Sequence, residues 1–90
     1  MMIDYPAALA LSQLYAARLS REGGIELVVW ELATVERPVG WVFFLQSRDY
    51  LSTGDGGAVA IGVAPLLVDR RDGSLHRLET GTHWSQQLDE

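Results

Sequence analysis

From Tyr5 to Leu19 apolar residues recur at helical spacing: Ala8, Leu11, Tyr15 and Leu19 share a stripe, widened by Leu14. Asp4 offers a capping carboxylate, and Pro6 falls in the first turn, where its missing N–H breaks no helical bond. Arg18 and Arg21 put positive charge near the C-terminal end, where it suits the helix dipole, and Gly23 and Gly24 end the element. The period then changes. IELVVWELATVE, Ile25 to Glu36, is rich in β-branched residues and reads as one long strand. Val28, Trp30 and Leu32 fall on one face, and Ile25, Leu27 and Val29 on the other. Arg37 to Gly40 is a turn. A second strand, Trp41 to Ser47, sets Trp41, Phe43 and Leu45 on one face and Val42 and Phe44 on the other. Both faces are apolar at its centre, which predicts a central strand. One helix covers one face. The other face needs a curl of the sheet, the C-terminal stretch or a partner.

TGDGGAVAIG, Thr53 to Gly62, has neither period and reads as a surface connection. Pro65 to Asp69 is a short strand with proline at its start, Arg70-Arg71-Asp72-Gly73 a hairpin turn, and Ser74 to Glu79 the returning strand. After Gly81, Thr82 is placed to cap a short helix over His83 to Glu90. Acidic residues at that helix's C-terminal end oppose the dipole, so it frays or needs docking. The expected fold is α+β: an N-terminal helix packed on a four-stranded, mainly antiparallel sheet, with a short C-terminal helix. Residues 1–90 form a single domain.

Composition narrows the function. Ninety residues, 48% of them apolar, suit one core. There is no cysteine, hence no disulfide framework and no thiolate chemistry. No apolar run reaches the ~18 residues of a membrane span, and the N-terminus lacks the basic start of a signal peptide, so the expected location is the cytoplasm. All seven basic residues are arginine, against twelve acidic ones, for a net charge of -5. A nucleic-acid surface needs concentrated positive charge, and only the Arg70–Arg71 pair supplies any. The balance instead favours solubility and encounter with a basic partner.

Candidate chemistry is sparse. The glycine-rich stretch lacks both the lysine-serine/threonine of a phosphate loop and a GxGxxG launching a helix after a parallel strand. His76 and His83 form no compact metal motif, although Asp69 can approach His76 across the final hairpin. Ser47, His76 and Asp49 have the residue types of a hydrolytic triad, but no GxSxG elbow exposes the serine. The expectation is no catalytic centre, no cofactor and no metal. Trp30 and Trp41 read as core residues in apolar strands, while Trp84 docks the chain end or anchors an interface. The polar-aromatic break after the second strand is the candidate recognition rim: Arg48, Asp49, Tyr50 and Asp55, with Trp84 adjoining. Tyr50 has an alternative role in closing the core.

Two segments carry a resemblance: GWVFFLQSRDYLSTGD and IGVAPLLVDRRDGSLHRLETG. Their order and spacing resemble the immunity protein 35 family, small bacterial proteins associated with polymorphic-toxin systems. The matching positions are Gly40-Trp41, Phe43, Tyr50-Leu51, Thr53-Gly54, Gly62, Pro65, Val68-Asp69, Gly73 and Gly81. Val63 departs from the family's asparagine. The resemblance implies a non-catalytic antitoxin that binds a cognate toxin domain; charge and hydropathy give the expectation of no direct nucleic-acid or membrane partner. The alternative is a general protein-binding or assembly module, including a homo-oligomer that covers the second sheet face.

Overall fold

A computed structural model describes residues 2–90. Helix α1 spans Tyr5–Gly23. Asp4 Oδ1 accepts the Ala7 N–H at 3.1 Å, and Gly24 closes the helix in the left-handed region. Ala8, Ser12, Tyr15 and Ala16 are buried, with Leu11 and Leu19 half-buried beside them. Ser12 was hidden from a hydrophobic stripe by its hydroxyl, which donates to the Leu9 carbonyl at 2.7 Å and so is buried without an unmet bond. Leu14 does not widen the buried stripe. It is 70% exposed, on the outward side of the helix.

The expected pair of long strands is four short ones. Ile25–Glu36 divides into β1, Leu27–Val29, a 3-10 turn at Glu31–Ala33, and β2, Val35–Arg37. The return arm divides at Phe44 into β3, Gly40–Phe43, and β4, Leu45–Ser47. β5, Leu66–Asp69, and β6, Leu75–Arg77, complete the set. β1 pairs with β4 as a two-stranded sheet, and a four-stranded sheet runs β2-β3-β5-β6; every pairing is antiparallel. The cause of the division is a count. Val29 pairs with Leu45 and Val35 with Val42, so Trp30–Thr34 on one arm oppose only Phe43 and Phe44 on the other. The surplus residues bulge, and the hairpin bends between its two sheets. The Trp30 N–H still reaches the Phe44 carbonyl at 2.8 Å, so the bend keeps its backbone connection. Trp30 and Leu32, expected on a strand face, sit in this bulge at 39% and 97% exposure. Trp41 is a core residue, as its strand position predicts, and Trp30 is not.

β3 is central and buried throughout, as its two apolar faces require. Toward α1, Trp41, Phe43 and Leu45 pack with Leu66, Val68, Ala8 and Tyr15. On the far face, Val42, Leu67 and Leu78 meet Phe44, Trp84 and Leu88. The C-terminal stretch therefore supplies the cover, and the face that suggested a homo-oligomer is closed by the chain itself. This stretch is not a helix over 83–90. It is a 3-10 turn, Trp84–Gln87, capped by His83 rather than Thr82. Polar clips replace the helix's missing dipole support. The Gln87 amide bonds the Glu79 N–H and carbonyl at 2.7 and 2.9 Å, and the Glu90 carboxylate accepts from Arg37 Nε at 2.8 Å and the Val39 N–H at 3.2 Å.

The Arg70–Gly73 turn forms as expected, with the Gly73 N–H on the Asp69 carbonyl at 2.8 Å and Gly73 at φ 75°. Its arginines serve the fold. Arg70 lies over the Trp41 ring, 4.4 Å from the centroid, and bonds Glu36 Oε2 at 3.0 Å and the Arg37 carbonyl at 2.9 Å. Asp69, 5% exposed, accepts from Arg71 Nη2 at 2.8 Å and from the Arg71 N–H at 2.8 Å. These bonds hold its pKa at about 2, below the ordinary 3.8. A depressed carboxylate stabilises the fold above its unfolded pKa. The contribution is complete above about pH 4 and disappears as pH falls toward 2. Thermal unfolding across that window is expected to show a steeper acid loss for the natural protein than for Asp69→Asn, which is also expected to be less stable at pH 7. Equal acid slopes would remove Asp69 from this role.

Candidate functional site

The predicted rim is a short helix rather than an irregular turn. α2 spans Arg48–Thr53. Six residues are too few to show an apolar period, which is why the sequence reads as a loop. Ser47 Oγ caps it, accepting the Tyr50 N–H at 3.2 Å, and Gly54 ends it at φ 72° with its N–H on the Tyr50 carbonyl at 2.8 Å. Arg48 Nε meets Glu26 Oε2 at 2.7 Å, and its N–H meets the Glu26 carbonyl at 3.1 Å. Both side chains are more than half exposed, so the ion pair itself contributes less than about 1 kcal/mol. Asp49 is exposed in the first helical turn, and Tyr50 is half-buried. Asp55 Oδ1 accepts the Gly57 N–H at 3.0 Å and caps a 3-10 turn at Gly56–Ala58.

Arg48, Asp49, Tyr50 and Asp55 therefore lie on one segment. Trp84 is placed elsewhere. It meets the Phe44 ring edge-on at 6.3 Å, in the cover of the far sheet face. No hydrogen bond, ion pair or ring contact among the described residues joins it to Arg48–Asp55.

α2 is one wall of a groove of about 730 Å³, with α1 and β1 as the others. Ala17, Val29 and Leu51 line it, with Arg21, Glu26, Glu31 and Arg48 among its charged residues. At the Glu31 end stands the bulge with exposed Trp30 and Leu32. Sequence reasoning missed this knuckle because VVW continues a strand pattern with no turn residue to interrupt it. It also missed Gln46. That amide accepts the Ala60 N–H at 2.6 Å and donates to the Ala60 carbonyl at 3.4 Å, pinning the glycine-rich connection to β4. A lone glutamine in an otherwise apolar strand was the available signal.

The three residues weighed as a triad have separate duties. Ser47 caps α2, His76 Nε2 shares a hydrogen bond with Ser74 Oγ at 2.8 Å, and Asp49 faces solvent. Asp69 is engaged by Arg71, with no direct bond to His76. Among the described residues no group of three histidine, cysteine or acidic side chains is placed to hold a metal ion, and no helix is long and apolar enough to cross a membrane.

The fold and its outward-facing charged and aromatic groups define a small α+β domain built around surfaces. The family model for Immunity protein 35 matches residues 7–89, and the chain belongs to that family. It is also 37% identical over 49 residues to the uncharacterized protein YrhB of Escherichia coli strain K12, a stretch covering 54% of this chain and 52% of that protein. The match thus spans about half the length of this curated relative. No solved structure matches the chain.

Proposed function

We propose that this protein is a non-catalytic immunity protein that binds and neutralises a cognate bacterial toxin in the cytoplasm. The family match over residues 7–89 carries the reading. Charge distribution supports a toxin with a basic surface. Among the described residues, seven of the twelve acidic side chains stand outside the ion pairs, against two of the seven arginines. The recognition surface we assign is α2 with Arg48, Asp49, Tyr50 and Asp55, extended along the groove to Trp30 and Leu32. Tryptophan and tyrosine are strong interface anchors, and here Trp30 is exposed and Tyr50 half-buried, while exposed carboxylates orient a basic partner. Trp84 lies apart from this surface, in the cover of the far sheet face.

The test pairs the purified protein with the toxin domain encoded beside it. Joint charge reversal, Asp49→Arg with Asp55→Arg, is expected to weaken binding about tenfold or more, mainly through slower association that salt also slows. Circular dichroism and thermal unfolding control for fold. Wild-type affinity in the folded double variant, and in Trp30→Ala, would move recognition off this face.

A further inference from the structure

Antiparallel pairing dictates which backbone groups of an edge strand face outward. In β6, the Leu78 N–H donates to the Pro65 carbonyl at 2.8 Å and the Asp69 N–H to the Ser74 carbonyl at 2.9 Å. Leu67 is opposite His76. Ladder bonds therefore fall at the Pro65–Leu78, Leu67–His76 and Asp69–Ser74 pairs. The N–H and C=O groups of Leu75 and Arg77 point away from the sheet.

Other outward backbone groups are closed by side chains. The Ser20 hydroxyl lies 2.8 Å from the Leu27 nitrogen and 3.1 Å from its carbonyl. Gln46 closes Ala60 in the same manner. Gln87 closes Glu79, the next outward position along the line of β6. By the same register argument β1 and β2 each keep one outward residue, Val29 and Glu36, while the outward residues of β4, Leu45 and Ser47, are both buried, with the Ser47 N–H on Gln46 Oε1 at 2.7 Å. β6 keeps two in succession.

The side chains add to this edge. Leu75 and Arg77 sit opposite Val68 and Leu66, and so share the α1 face of the sheet. A groove of about 470 Å³ runs there between α1 and β6, walled by Tyr15 and Leu19. Leu75 is 39% exposed, and Arg77 has no ion-pair partner among the described residues.

We propose that an extended strand of the toxin adds to β6, with an apolar side chain against Leu75 and a carboxylate against Arg77. This rests on the immunity reading and names how the toxin is held. Backbone donors and acceptors at strand spacing define the occupant as extended polypeptide. A second copy fits poorly. Two-fold pairing about His76 sets His76 against itself and Arg77 diagonal to Arg77, between chains that each carry -5. The outward stripe of α1, with Ala7, Ala10, Leu14 and Ala17 exposed, lies between this edge and α2, so one toxin body across α1 reaches both.

Proline tests the edge. Arg77→Pro removes an outward N–H and no ladder bond, so the fold is expected to survive. Toxin affinity, measured by calorimetry, is expected to fall about tenfold or more, the worth of roughly one net hydrogen bond. Arg77→Ala, which keeps the N–H, is expected to lose less. In the wild-type complex, the Leu75 and Arg77 amides are expected to gain protection from hydrogen exchange, a readout that requires no variant. Unprotected amides, or wild-type affinity in folded Arg77→Pro and Leu75→Pro, would overturn the edge assignment and leave the immunity reading standing. A wild-type dimer that Arg77→Pro dissociates would replace the toxin strand by a second copy. Absence of any wild-type binding to the neighbouring toxin would defeat both.

Discussion

Gly40→Ala is expected to lower stability by about 3 kcal/mol or more, a shift on the order of 15 °C in thermal midpoint for a domain this small. A Cβ at position 40 would lie 2.0 Å from the Val68 carbonyl oxygen and 3.0 Å from the Arg70 nitrogen. Those atoms belong to the backbone of β5 and of the turn that follows it, so no rotamer relieves the contact. Gly40 also holds φ 155°, which side chains rarely adopt. The comparison is Gly54→Ala. Gly54 has a positive φ of 72°, but nothing lies within 4 Å of its added Cβ. Only the left-handed backbone penalty applies there, about 1 kcal/mol. Thermal unfolding of the two variants separates close approach from backbone preference. Equal losses would mean that β3 and β5 do not approach as described.

Trp84→Ala is expected to cost about 2 kcal/mol, somewhat below a fully buried tryptophan because the ring is half-exposed. The larger consequence is exposure. Trp84 and Leu88 cover Val42, Leu67 and Leu78, and removing the ring opens that face to water. Light scattering at increasing concentration is expected to show more self-association than the natural protein shows under the same conditions. A stable variant that does not self-associate would return Trp84 to the pool of partner anchors. Glu90→Gln, which weakens the clip to Arg37, is expected to move both readouts the same way by a smaller amount.

Much of this architecture is legible in the sequence where a period runs long enough to be read. The nineteen residues of α1 show their apolar side, and Trp41–Leu45 show that a strand must be buried on both faces. That the chain end must fray or dock is legible from its misplaced acidic charges. What is not legible depends on counting across strands. The bulge exists because five residues oppose two, and neither Trp30–Thr34 nor Phe43–Phe44 contains a glycine or proline to mark the place. Trp30 and Leu32 consequently read as pleated strand and emerge as an exposed knuckle. The rim shows a related limit. Local polarity groups Arg48 to Asp55, and they do share a segment, whereas Trp84 stands across a gap in sequence that the three-dimensional path of the chain does not close. The open edge of β6 had no sequence signal either, since it is defined by which neighbouring groups Gln87 reaches and which it leaves.

The central claim is protection. The most direct measurement is growth of cells expressing the toxin encoded beside this chain, with and without the protein. Restored growth together with a co-purifying complex is the predicted result. Unrelieved toxicity while the folded protein accumulates would contradict the account.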